Sequence, residues 1–160
     1  MYGNSLPDPA AQEKARCFGA GAALTVEATP LMHRGEPVGW TVNLDVAPRN
    51  RDSIEWQRKL TLQLSENELP IMAAVCLGLL PSATFKRPQK GIHIARQPGR
   101  LFISATQGQG NAYSLPIPIG QVFHIGALVL KQLSEHTKLT DGSLLLASLR
   151  GAAALYSENT

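Results

Sequence analysis

Trp56-Gln57-Arg58-Lys59-Leu60-Thr61-Leu62-Gln63-Leu64-Ser65-Glu66-Asn67-Glu68 changes its period partway along. As far as Leu64 the residues alternate between two faces: Trp56, Arg58, Leu60, Leu62 and Leu64 on one, Gln57, Lys59, Thr61 and Gln63 on the other. That is the pattern of a half-buried strand. Ser65 and Glu68 then stand at capping-box spacing, in which the hydroxyl and the carboxylate each satisfy the other residue's backbone N–H. A helix is therefore predicted to start here. Pro70 lacks an N–H and would clash with the Glu66 carbonyl inside a regular helix, which moves the expected start toward Asn67. Leu69 to Leu80 is apolar nearly all round, as in a helix buried between layers, and Pro81 is expected to end it.

Upstream, Ala22 to Ala28 alternates and is expected to break at Pro30, while Gly39 to Val46 alternates again. The turn cluster His33-Arg34-Gly35-Glu36-Pro37 between them predicts a hairpin. Downstream, four short strands are predicted at Ala83 to Lys86, Gly91 to Arg96, Arg100 to Thr106 and Ala112 to Ile117, separated by Pro- and Gly-containing turns. A helix follows from about Gln121 to His136, with Val122, Ile125, Val129 and Leu133 as its core stripe and Phe123, Leu128 and Leu130 widening it. Strands and then a helix, twice over, imply an α+β fold with antiparallel sheets. The leucine-rich tail from Thr140 to Leu155 predicts a third helix.

The charges are segregated along the chain. From Leu69 to Ser134 there is no Asp or Glu, while Lys86, Arg87, Lys90, Arg96, Arg100 and Lys131 all fall inside. The net charge of +3 therefore conceals a stretch of +6 beside a remainder of −3. Clustered cations suit a polyanion, because neutralised phosphates release condensed counterions; a solvated basic face is the structural alternative. At 160 residues the chain suffices for one domain with a sizeable core. Cys17 and Cys76 suggest neither a disulfide nor a metal site by their spacing, in keeping with a reducing, intracellular compartment such as the cytoplasm or a bacterial nucleoid. Residues 1–18 read as a flexible lead without a secretion signal, and no run reaches the length of a membrane span.

Catalysis has little support. His33, His93, His124 and His136 are scattered without metal-ligand spacing, and the acid-free stretch offers no carboxylate to orient a base. Gly19-x-Gly21 has Leu24 where a dinucleotide fingerprint needs its third glycine. No enzyme activity and no cofactor or metal is expected.

Several segments resemble one family. Gly19-Ala20-Gly21-Ala22-Ala23-Leu24-Thr25-Val26-Glu27 is similar to the opening strand of the plant Whirly proteins, whose motif there is Lys-Gly-Lys-Ala-Ala-Leu. Trp56-Gln57-Arg58-Lys59, then Leu62-Gln63-Leu64-Ser65 and Glu68, resembles the family's Trp-x-Arg-Lys strand running into a Leu-Ser-x-x-Glu helix start. Phe85, Lys90, Leu101 to Ser104 and Pro116-Ile117-Pro118-Ile119 follow in the family's order, so the likeness spans about residues 19 to 136. It implies two four-stranded antiparallel sheets, each followed by a helix, in a domain over 19–137 that assembles as a homotetramer and binds single-stranded DNA. The C-terminal helix over 138–160 would be an addition, and Gly19 and Gly21 replace the motif's lysines.

A single strand needs cations along its backbone and flat faces under its bases. The candidates are Trp56, Arg58, Lys59, Phe85, Lys86, Arg87, Lys90, Arg96 and Arg100, with Lys86, Arg87 and Lys90 expected on a loop and free to meet phosphates. Trp40 and Phe102 read more readily as core. RNA satisfies the same chemistry unless the 2′-hydroxyl is read, and a protein-binding scaffold would explain the apolar helices equally well.

Overall fold

The computed structural model describes residues 13–108 and 110–156. It has the α+β architecture of two antiparallel sheets, each followed by a helix, with a further helix at the C-terminal end. The first sheet orders β1 (Lys14–Phe18), β2 (Ala22–His33), β3 (Glu36–Asn50) and β5 (Leu60–Gln63), and the two-residue β4 (Ser53–Ile54) pairs with the end of β3. Helix α1 (Glu68–Cys76) follows. The second sheet runs β6 (Ser82–Arg87), β7 (Lys90–Gln97), β8 (Arg100–Gln107) and β9 (Ala112–Pro118) in sequence order, then α2 (Ile119–Thr137) and α3 (Gly142–Ala153).

Hairpin chemistry sets the strand ends. His33 pairs with Glu36 across Arg34 and Gly35, both at positive φ, which gives the two-residue turn whose twist matches a hairpin. In the second sheet, Pro88-Gln89 and Pro98-Gly99 put proline at the first corner and a positive-φ residue at the second, as type II turns require. The predicted strands there extend by about one residue at most of their ends.

In the first half of the chain up to β5, three features depart from the sequence reading. Pro30 does not break β2, because β1 pairs only as far as Glu27 and the proline's missing N–H lies where β2 has become an edge. Trp56 and Arg58 are not in the strand. Between its pairings with β4 and β5, β3 advances from Val46 to Arg49 while the partner chain advances from Ile54 to Leu60. The surplus of three residues is taken up by a 3-10 turn over Trp56–Arg58. The expected flexible lead is also shorter, since Lys14–Phe18 forms the edge strand β1 and the rest of that expectation, residues 1–12, lies outside the described residues.

The capping box forms as expected. Ser65 donates its N–H to Glu68 Oε1 at 2.9 Å, and Ser65 Oγ accepts the Glu68 N–H at 3.2 Å. Pro70 falls in the first turn, where its missing N–H has no partner to lose. The helix ends at Cys76 rather than near Pro81. With Gly78 at φ +82, Leu79 N–H returns to Ala74 O at 2.8 Å and Gly78 N–H to Val75 O at 3.1 Å, the paired bonds of a Schellman stop.

One core serves all layers. Leu24, Val26, Leu44, Leu60 and Leu62 of the first sheet meet Phe85, Ile92, Ile94, Ile103 and Leu115 of the second, together with Leu69, Met72 and Val75 of α1 and Ile125 and Val129 of α2. Leu145 and Leu149 bring α3 into the same core. Phe123 stays outside it, 70% exposed, so the stripe on α2 is narrower than its composition suggested. No helix among the described residues is long and apolar enough to cross a membrane.

His136 fastens α2 to the first sheet. Its Nδ1 accepts the Trp40 N–H at 3.3 Å, and its Nε2 meets Glu66 Oε2 at 2.7 Å. A Cβ on Gly39 would overlap this imidazole. Gly39→Ala is expected to cost about 1 to 3 kcal/mol of stability, the usual penalty for forcing atoms into filled space, and less in a His136→Ala background. Urea denaturation across the full double-mutant cycle measures this; an additive cycle would contradict the clash.

Candidate nucleic-acid interface

Strand alternation divides the second sheet into two faces. Ala83 and Phe85 of β6, Ile92 and Ile94 of β7, Leu101, Ile103 and Ala105 of β8, and Tyr113, Leu115 and Ile117 of β9 point into the core. The residues between them form the outer face in three cross-strand rows. Lys86, Gly91, Thr106 and Ala112 make the first, Thr84, His93, Ser104 and Ser114 the second, and Ser82, Ala95, Phe102 and Pro116 the third. No Asp or Glu occurs anywhere from Ser82 to Pro118.

A groove of about 660 Å³ opens on this face. Thr84, Lys86, His93, Ser104 and Thr106 line it, with Arg87, Gln89 and Lys90 at the rim where β6 turns into β7. Thr84 Oγ1 and His93 Nδ1 lie 2.7 Å apart, which orients the imidazole. Phe102 is half-buried, with the Arg100 guanidinium 5.7 Å from its ring centroid, a cation–π distance. Arg100 Nε also donates to Gln97 Oε1 at 2.7 Å.

The nine sequence candidates therefore separate. Lys86 and Arg100 lie on the outer face of the second sheet. Phe85 is 1% exposed, a core residue with no face for a base, because it alternates inward. Arg87 shares its parity and is engaged within the fold: its Nη2 donates to Glu68 Oε1 and to Gln63 O, each at 2.7 Å, and its Nη1 to Glu68 Oε2 at 3.0 Å. Lys90 Nζ donates to Thr61 O at 2.6 Å. Both residues end strands and tie the two sheets together, instead of riding on a free loop. Arg96 turns to the C-terminal end of α1, where its Nη1 donates to Val75 O at 2.8 Å and complements the negative end of the helix dipole.

Trp56, Arg58 and Lys59 belong to the first sheet's side of the molecule. The Arg16 guanidinium sits 5.6 Å from the Trp56 ring centroid. Arg58 Nη1 lies 2.7 Å from Glu55 Oε1, a hydrogen bond that raises the guanidinium pKa further. Lys59 Nζ is 3.4 Å from Asp45 Oδ2, whose other oxygen accepts from Thr61 Oγ1 at 2.6 Å. Cations on this side are interleaved with acids, unlike Lys86 and Arg100 on the outer face of the second sheet. Gly19 packs against β9, where a Cβ would come 2.7 Å from Leu115 Cβ, so this position of the Whirly-like motif has no room for a lysine.

His93, Thr84, Ser104, Ser114 and the outward side of Phe102 were absent from the sequence candidates. The alternation of Ile92 and Ile94, and of Leu101, Ile103 and Ala105, carries the signal that turns them outward.

No family model matches the sequence, and no curated protein matches it. Solved structures match in fold. One is a crystal structure of MRP1/MRP2 from Trypanosoma, 12% identical, with a TM-score of 0.57 over 82% of this chain and 87% of that one. Another is a guide-RNA-binding protein complex bound to a guide RNA, 12% identical, with a TM-score of 0.59 over 87% of this chain and 99% of that one.

Glu68 is the titratable anchor beside this groove. Its carboxyl is held below the ordinary 4.5, foremost by the Arg87 hydrogen bond, which outweighs the opposing effect of burial. The folded chain thus holds this proton less tightly than the unfolded one. The pair's contribution is complete above about pH 4.5 and is lost as the pH falls through the lower folded value. Stability measured against pH should therefore fall less steeply in Arg87→Gln than in the parent over that acid range. Parallel curves would remove Arg87 as the cause.

Proposed function

We propose that this chain is a non-enzymatic, single-stranded RNA-binding protein whose contact surface is the outer face of the second sheet. The observation that carries this reading is an open, acid-free sheet face holding a cation-rimmed groove beside a partly exposed aromatic ring. A backbone of phosphates is drawn to Lys86, while a base can stack at Phe102. The structural neighbour bound to a guide RNA supports RNA as the ligand. Single-stranded DNA is the second reading and rests on the Whirly-like motifs around Trp56 and Glu68. The enzyme class has no comparable support.

A homo-oligomer belongs to the same proposal. Ile119 and Phe123, one turn apart on α2, are 69% and 70% exposed. An apolar hollow of about 490 Å³ also lies between α1, β6 and α3, lined by Ile71, Ala74, Leu80, Leu149 and Leu155 among others. Such surfaces favour a second protein chain over water. The tetramer in particular comes from the Whirly resemblance. Light scattering at micromolar concentration should report an oligomer, and a monomer would refute this part.

Two substitutions separate charge from stacking. Lys86→Ala should weaken binding to every RNA sequence and flatten the salt dependence by about 0.7 in slope, the value for one phosphate on a single strand. Phe102→Ala should lower affinity by about 1 to 3 kcal/mol with the slope unchanged. Titrations across a salt series test both, with melting curves as the control. Parent-like binding by both variants would move the site off this face.

A further inference from the structure

Resting on the reading above, we infer that Thr84, His93, Ser104 and Ser114 read the ribose 2′-hydroxyl, so that this chain selects RNA over DNA. The three outer rows stand in the chemical order of a nucleotide. Lys86 supplies charge in the first row, the second row is polar on every strand, and the third places the small Ala95 and the apolar Pro116 on either side of Phe102, with Ser82 at its edge. Phosphate, sugar and base follow the same sequence. Rows two residues apart along a strand are separated by about 6.6 Å. Lys86 and Phe102 also lie two strands apart, so they meet different nucleotides of a strand that crosses the sheet, and a strand with its backbone toward the Lys86 row and its bases toward the Phe102 row lays its sugars over the middle row.

That row is directly opposed on all four strands: Thr84 pairs with His93, His93 with Ser104, and Ser104 with Ser114. Across the sheet it spans about 14 Å at ordinary strand spacing. Other open four-stranded sheets that bind RNA stack two or three bases. Each member can donate and accept a hydrogen bond, as the 2′-hydroxyl can. Thr84 holds His93 Nδ1 at 2.7 Å, which leaves Nε2 to meet a ligand. Three of the four line the groove itself. The RNA would then run across the strands, its backbone on the Lys86 side and its bases toward Phe102.

The test is equilibrium binding of the full chain to labelled oligouridylate and oligodeoxyuridylate of equal length, which differ only at the 2′ position. The parent should prefer the ribose strand. Ser104→Ala with Ser114→Ala, and separately Thr84→Val, should each shrink that preference, by about threefold to tenfold per hydroxyl lost. The change should fall on the ribose strand alone. Unchanged affinity for the deoxyribose strand would also show that the variants remain folded. Thr106→Ala, one row away on the same face, should keep the parent's ratio. Equal binding of the two strands by the parent, or an equal loss on both strands in the variants, overturns the inference while leaving the nucleic-acid reading intact. If the parent binds neither strand, both fall.

Discussion

Ile94, Ile103 and Leu115 are cross-strand neighbours sealed in a core that both sheets share, and their burial decides what every other side chain of the second sheet can do. The side-chain period of a strand is two, so a register slip of one residue would carry this apolar set into water and the polar set inward. The inner face therefore holds the outer one in place. Lys86 points outward because Phe85 cannot, and the same parity turns Arg87 in toward Glu68. A run of basic residues that looks uniform in sequence becomes two populations, one facing solvent and one tying the fold together.

The tie is made where the sheets meet. Arg87 reaches Glu68 at the start of α1 and Gln63 O at the end of β5, while Lys90 reaches Thr61 O on the same strand. Both cations spend donors on groups of the first half of the chain, which orients the β6–β7 turn against β5. Charge-assisted bonds of this kind are shorter and stronger than neutral ones. The rim of the groove is thus built from side chains whose heads are fixed, leaving Lys86 as the outer-face cation within the groove.

The helices are positioned by close approach and by capping. At Gly126 α2 packs against α1, and an added Cβ would stand at contact distance, 3.4 Å, from Cys76 Cβ. The same burial pushes the Cys76 thiol up to about 12, so this cysteine serves as a packing residue without thiolate character. Arg96 closes the carbonyl end of α1 from the second sheet. With α1, α2 and α3 packed into the shared core, the outer face of the second sheet is left open.

The alternating strands, the proline-centred hairpins, the capping box at Ser65 and Glu68 and the repeat of strands followed by a helix were all legible in the sequence, because each is a local pattern enforced by backbone geometry. The acid-free stretch was legible as well, and it contains the face proposed to bind. Tertiary structure alone decided which members of that stretch are available. Arg87, Lys90 and Arg96 find partners 19 to 29 residues away, and no local pattern reveals those partners. The departure of Trp56 from its strand likewise depends on how far β3 had already paired with β4, a matter of register between segments. Local chemistry determines which elements form; the competition of distant groups for one core and one set of hydrogen-bond donors determines which side chains are left to bind.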